Sequence, residues 1–147
     1  MDKDFFIAIT GRLSACVPAL RWVELDEGQL SSPERPSVAF PCALVDIAYS
    51  DCQTVSGSFG SQRVKATVTV RVAFKRLAPT AAMSPDSVRP HALSYLDTLQ
   101  EIHKKALQWW NGNGLFNPLQ RVSCLPEKQR HSDIKAYVMT YRTEFSD

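Results

Sequence analysis

The sequence predicts an α+β fold in which two main helices pack on one face of a mostly antiparallel sheet that contains a long β-hairpin. The first observation is the segment Gln62–Lys75, where apolar residues alternate without a break against polar or small ones. The second is a pair of segments, Asp4–Val17 and Leu93–Trp110, whose apolar residues recur at every third or fourth position. The order helix, strands, helix, strands therefore favours one sheet covered by helices on one side.

The composition predicts one folded domain that spans residues 1–147. The chain has 147 residues, of which 44% are hydrophobic and 22% are charged, as in ordinary folded proteins. Its 17 lysines and arginines nearly balance its 15 aspartates and glutamates, so the net charge of +2 gives no general attraction to nucleic acid or anionic lipid. The apolar run Phe5–Ile9 is too short for a membrane span or a signal peptide, so we expect a cytoplasmic protein without membrane contact.

The first half of the chain reads as a helix followed by strands. The first helix ends before Pro18, and a short strand, Leu20–Leu25, and an exposed loop, Asp26–Pro36, come next. In Ser37–Tyr49 the apolar phase changes, which indicates either a bulge or a strand buried on both faces. The segment Asp51–Ser61 then forms the flexible end of a hairpin with the alternating strand.

The second half adds a connector, a helix and two strands. Three prolines mark Ala78–Pro90 as the connector, and the helix Leu93–Trp110 is expected to stop at Asn111-Gly112. Two extended segments, Gln120–Leu125 and Asp133–Phe145, follow it.

Two consecutive tryptophans at the end of the second helix cannot both face one core, because neighbouring helical residues point about 100° apart. Trp110 continues the buried stripe, which leaves Trp109 for another surface. The loop that carries Leu115 and Phe116 is expected to fold back over Trp109. The alternative is that Trp109 contacts another subunit.

No residue pattern indicates an enzyme, a metal site or a bound cofactor. The three histidines lack the HExxH spacing, the four cysteines form no CxxC pair, and no GxSxG sequence is present. Cys16 and Cys42 lie among apolar neighbours and are expected to be small buried residues. For His103, a structural role is favoured over metal binding.

The polar side of the alternating strand carries Arg63, Lys65, Arg71 and Lys75 in phase. Such a basic stripe is able to contact phosphate groups. A solvated strand also needs charge, and no aromatic residue interleaves on this side, as base stacking on a sheet requires. The solvated-surface interpretation is therefore favoured over nucleic-acid binding.

Five segments occur in an order that is typical of one family of small α+β proteins. They are the N-terminal helix, Arg35–Pro41 entering a strand, the alternating run Val64–Phe74, the helix Leu93–Trp110, and Arg130–Asp133 leading into Ile134–Tyr141. In this layout the chain resembles the tail terminator and tail completion proteins of long-tailed phages and prophages.

This resemblance implies a structural protein with no catalytic side chain. Its copies would form a homo-oligomeric ring, a hexamer, that caps the tail tube protein and presents a surface to the head connector proteins, with DNA passing through the lumen. The protein would lie in the host cytoplasm during assembly and afterwards in the virion tail. A head–tail joining or other minor tail subunit, and a small nucleic-acid-binding α+β module, are the alternatives.

The subunits of a ring meet through two different surfaces of one chain. Candidates are the hairpin end with its aromatic residue, the edge of the strand Val38–Tyr49, the basic stripe, the acidic loop and the second-helix tryptophan. The candidate residues are Gly57, Ser58, Phe59, Gly60, Arg63, Lys65, Arg71, Lys75, Asp26, Glu27 and Trp109. The basic stripe is expected either to meet the acidic loop or to face the lumen.

Overall fold

The computed structural model describes residues 3–55, 57, 60–76, 90 and 93–147. The elements are helix α1 (Lys3–Cys16), strands β1 (Trp22–Leu25), β2 (Cys42–Thr54) and β3 (Gln62–Lys75), helix α2 (Ser94–Glu101), and strands β4 (Gln120–Glu127) and β5 (Ile134–Ser146). The predicted α+β fold with its mostly antiparallel sheet is confirmed. Except for Pro90, the expected connector Ala78–Pro90 lies outside the described residues.

The strands form one five-stranded sheet in the order β1-β2-β3-β5-β4. β1 is parallel to β2, and every other neighbouring pair is antiparallel. β3 pairs with β2 on one side and with β5 on the other over nearly its whole length, as expected for the most regular alternation in the sequence. The long hairpin β2–β3 is therefore the centre of the sheet.

Both helices pack on the same face of this sheet, which we call the helix face. Phe5, Ile9 and Leu13 of α1 are buried against the β3 valines and against Ile102 and its neighbours after α2. The spacing of apolar residues in the sequence predicts a buried stripe that begins at Phe6, but Phe5 is the buried residue and Phe6 is only partly buried. Each fully buried leucine or isoleucine contributes about 1.5–3 kcal/mol relative to an exposed one, so this layer is the main source of stability.

The apolar phase change in β2 arises because the strand is buried on both faces, the second of the two predicted causes. Residues Cys42–Val45 are all buried, so this end of β2 is covered on both faces. A bulge is also present, but it lies further along, at the register shift between Tyr49 and Asp51.

The sheet face opposite the helices, the opposite face, is partly covered by residues 26–41, which we call the covering segment. The sequence predicts an exposed loop over Asp26–Pro36, and this is wrong in part. Leu30 is buried in a 3-10 turn, and Val38 and Phe40 pack on a small second core that includes Leu44. A loop whose prolines and serines favour turns is thus held down by a few apolar side chains.

The second helix ends earlier than predicted. α2 continues into a π-helical turn, Ile102–Leu107, in which the amide of Gln108 donates to the carbonyl of His103 at 2.8 Å. The chain leaves the helix at Gln108, four residues before Gly112. Both tryptophans therefore lie beyond the helix end.

Candidate assembly surface

Arg71 forms the centre of an ion cluster on the opposite face. It projects from the middle strand β3 and donates to both carboxylate oxygens of Glu127 on β4, from Nε at 2.7 Å and from Nη2 at 2.9 Å. Its Nη1 pairs with the carboxylate of Asp26, which follows β1. One guanidinium thus links residues at the two opposite edges of the sheet.

The contact between Arg71 and Glu127 changes the titration of both residues. The hydrogen bonds from Arg71 are the main cause that lowers the pKa of Glu127 below its usual value. The same contact is the main cause that raises the pKa of Arg71. From the sequence, the basic stripe is expected either to meet the acidic loop of another subunit or to face the lumen. The structure instead places the contact between Arg71 and Asp26 within one chain. Arg71 and Asp26 are therefore engaged inside the fold.

Lys75 and the covering segment form a second set of contacts. The Lys75 Nζ lies 5.8 Å from the centre of the Phe40 ring, a cation–π contact. Arg35 donates to Asp133 at 2.7 Å, and His131 Nε2 lies 3.1 Å from the carbonyl oxygen of Glu34. The covering segment therefore contacts the turn before β5 through Arg35 and Glu34, and the end of β3 through Phe40.

Arg63 and Lys65 lie at the far end of β3 and are exposed. The Lys65 Nζ is 4.0 Å from the Asp51 carboxylate, and both side chains are about half exposed. An ion pair of this kind contributes less than about 1 kcal/mol. These two cations are accessible for a partner at this end of the basic stripe, and Lys75 is exposed at the other end.

The hairpin end is closed by a hydrogen bond from the Val55 amide to the Ser61 carbonyl at 3.0 Å. Gly57 and Gly60 both have positive φ, 80° and 74°, a backbone conformation that glycine adopts at little cost. Ser58 and Phe59 lie outside the described residues, so their predicted part in an interface stays a prediction.

Trp109 is 63% exposed, and the expected loop does not cover it. Phe116 packs instead on Trp110, with ring centres 5.6 Å apart, and on Phe5 at 4.5 Å. Trp109 has a φ of 59° and donates its amide to Leu119 at 3.1 Å. The prediction that the loop folds over Trp109 is wrong. The helix ends before Trp109, and Trp110 is the tryptophan that contacts the loop, through Phe116.

The two outermost strands carry exposed apolar side chains. On β1, Trp22 is 39% exposed and its Nε1 donates to Glu24 at 2.8 Å. On β4, Val122 is 47% and Leu125 is 62% exposed. From the strand pairing, Trp22 and Leu125 both point to the opposite face, at opposite edges of one sheet. Among the described residues, neither β1 nor β4 has a strand on its outer side.

Glu27 is exposed in the turn that follows β1. The turn is fixed by two backbone amides: that of Glu27 donates to the Gln29 side chain at 2.8 Å, and that of Gly28 donates to Asp26 at 3.0 Å. The two acidic residues predicted for an interface therefore differ in their contacts. Asp26 pairs with Arg71 within the chain, whereas Glu27 is exposed and available to another molecule.

The titratable groups in the core have structural partners. His103 Nδ1 lies 3.0 Å from the hydroxyl of Tyr141, and partial burial lowers the pKa of His103. Burial also raises the pKa of the Cys42 thiol to about 11, which makes it a poor nucleophile.

In the part of the chain that the structure describes, no group of three or more histidine, cysteine or acidic side chains is placed to hold a metal ion. No helix in the same part has the length and apolar character that a membrane crossing requires.

No protein-family model matches this chain, and no curated protein matches it. Trp22, Leu125 and Glu127 are not among the candidates taken from the sequence. Leu125 and Glu127 are two residues apart in β4 and so lie on the same face of the sheet. The sequence does not show that β4 is an edge strand or that Arg71 contacts it; the strand order and the hydrogen bond from Arg71 do.

Proposed function

We propose that this protein is a structural subunit of a phage or prophage tail, similar to a tail terminator. Its copies form a ring that caps the tail tube and joins it to the head connector proteins, with DNA passing through the lumen. The protein acts first in the host cytoplasm, during assembly, and then in the virion tail. A head–tail joining or other minor tail subunit is the nearest alternative, because such proteins use similar small domains.

The observation that carries this proposal is the pair of exposed apolar edges on one sheet. Trp22 at one edge and Leu125 at the other are separated by the full width of the five strands. Two different surfaces on opposite sides of one subunit are what a head-to-tail contact needs, and repeated head-to-tail contacts close into a ring when the rotation permits. A symmetric dimer would instead use one surface twice.

The polar clusters support the same conclusion. Arg71, Asp26 and Glu127 satisfy one another, and His103 is paired with Tyr141. These groups tie elements of the fold together, so none of them needs a substrate to explain its position. The accessible cations Arg63 and Lys65 lie away from both edges, near the hairpin end, and are candidates for contact with the tube, with the connector or with DNA in the lumen.

The mass of the purified protein in solution tests the proposal. We expect light scattering to give about six times the 16.5 kDa of one chain, and negative-stain electron microscopy to show closed rings with a central hole. The measurement is repeated over a range of concentrations at low and high salt. Addition of a tail-tube preparation provides the second arm, in which rings should appear at tube ends.

Two results would count against the ring. A symmetric dimer at all concentrations would mean that one surface is used twice. A monomer that ignores tube ends but binds DNA, with an affinity that falls steeply as salt increases, would favour the nucleic-acid-binding module.

A further inference from the structure

The two edges of the sheet run in opposite directions. β1 is parallel to β2, while each later step to β3, β5 and β4 reverses the direction, so β4 is antiparallel to β1. If a second copy is placed beside the first with the same face toward the viewer, its β1 edge meets the β4 edge of the first as an antiparallel neighbour. Antiparallel neighbours are the more common arrangement in sheets.

The apolar side chains at the two edges are on the same face. Trp22 and Leu125 both lie on the opposite face, so they approach each other when the edges of two copies meet. The indole of Trp22 is held by its hydrogen bond to Glu24, which reduces the loss of side-chain freedom on binding. Tryptophan is also among the residues that contribute most to binding at interfaces.

Backbone pairing between the edges is restricted on the β4 side. A register shift between Arg121 and Ser123 interrupts the strand, and Pro126 has no amide hydrogen to donate. Both features limit uncontrolled strand addition. Contact at this edge therefore depends on side chains, which makes it specific to a surface with matching shape and charge.

The charges at the two edges are complementary. In residues 21–28 three carboxylates stand against one guanidinium. In residues 120–130 three cations stand against one carboxylate. Arg71 engages one carboxylate at each edge, Asp26 and Glu127, so its single charge does not reverse either sign. An acidic edge and a basic edge on one chain favour contact between different edges of two copies and disfavour contact between identical edges.

The charged residues also match in position. Leu25, the last residue of β1, shares a row of the sheet with Cys124 of β4. Beyond that row, toward the same end of the sheet, β1 leads to Glu27 and β4 leads back to Arg121. Both of these side chains are exposed.

We propose that the β1 edge of one copy binds the β4 edge of the next, with Trp22 against Leu125 at the apolar centre and Glu27 facing Arg121. This inference rests on the proposed ring and names the surfaces that form it. The two edges of every copy are then used once, and a closed ring leaves neither exposed.

A charge-swap experiment tests this contact. The variants Glu27→Lys and Arg121→Glu each place like charges across the contact, so each should weaken self-association by about tenfold or more at low salt. The double variant restores opposite charges and should associate within about threefold of the wild type, because every contact in the ring then has the reversed pair. The variant Lys3→Glu, at the exposed start of α1, is the matched control and should associate like the wild type. Circular dichroism checks that every variant is folded.

The measurement is the self-association constant from analytical ultracentrifugation at about 50 mM and 500 mM salt, where the effect of exposed charges should decrease at the higher value. Rings that form equally well in both single variants would overturn this contact while leaving the proposed ring intact. Loss of association in the single variants without recovery in the double variant would also overturn the pairing of Glu27 with Arg121. A wild-type chain that stays a monomer at every concentration would overturn the edge contact, and the proposed function is then decided separately by binding to tube ends.

Discussion

Replacing Arg71 with methionine tests whether the ion cluster stabilises the sheet from edge to edge. Methionine keeps most of the aliphatic volume and removes the charge, so Asp26 and Glu127 lose their partner. Their side chains are 10% and 37% exposed, and that of Arg71 is 25% exposed. Breaking a buried pair costs about 3–5 kcal/mol and an exposed pair at most about 1 kcal/mol, so this partly buried cluster should cost about 2–3 kcal/mol. For a chain of this size, the thermal midpoint should fall by about 5–10 °C.

The pH dependence gives a second, independent measurement. The pKa of Glu127 is lowered in the folded protein from its usual value of 4.5, and the hydrogen bonds from Arg71 are the main cause. The unfolded chain therefore binds more protons, so this contribution to stability is complete above pH 4.5 and is lost as the pH falls through the lowered folded pKa. The stability difference between the wild type and Arg71→Met should accordingly shrink below pH 4.5.

Chemical denaturation with urea at pH 7 and at pH 3 measures both effects. The variant Lys65→Met is the matched control, because its ion pair with Asp51 is long and exposed, and it should change the free energy of unfolding by less than about 0.5 kcal/mol. Unfolding of Arg71→Met at the same urea concentration as the wild type would contradict a stabilising role of the ion cluster. An equal loss of unfolding free energy at the two pH values would contradict the contribution of Glu127.

Three further predictions concern the core and its boundaries. Leu13→Ala empties a fully buried position in α1 and should lower the free energy of unfolding by about 2–5 kcal/mol in urea denaturation; a loss below about 1 kcal/mol would contradict the described packing. Gly112→Ala should lower the thermal midpoint, because the new β-carbon would lie 2.5 Å from Cε1 of Phe116 at a φ of +60°, whereas Gly11→Ala, with open space in α1, should gain about 0.5–1 kcal/mol. Opposite signs at these two glycines are the expected result in calorimetry, and equal signs would refute it. The Cys42 thiol, buried and with its pKa raised to about 11, should resist a thiol reagent at pH 8 until the protein is unfolded, and fast labelling of Cys42 in the native state would show that the site opens.

The parts of the fold that the sequence predicts well are those with a strong local pattern. β3 begins and ends at the predicted residues, Gln62 and Lys75, because its apolar residues alternate with polar or small ones without a break and point to one buried face. α1 and β5 are also found within about two residues of their predicted bounds, the usual uncertainty of element ends.

The parts that the sequence predicts poorly depend on contacts between distant segments. The burial of Leu30 requires the second core, which forms only when β2, β3 and β5 are side by side. The early end of the second helix reflects a π-helical turn at Ile102–Leu107, although Lys104 and Lys105 do lie in the last turn as a helix end favours. The Arg71 cluster joins positions 45 and 56 residues apart in sequence, and no local pattern indicates such a contact.

The central position of β3 has a consequence for how the molecule opens. Its amides lie between β2 and β5, so they should exchange hydrogen with solvent only when the whole sheet unfolds. β1 is paired over four residues and β4 lies at the other boundary, so their amides should exchange through small local openings. Exchange rates would then rise from the middle strand outward in the isolated chain. Association through β1 and β4 would cover both strands and slow the fastest of these amides, so the least protected strands of one chain would become buried in the assembly.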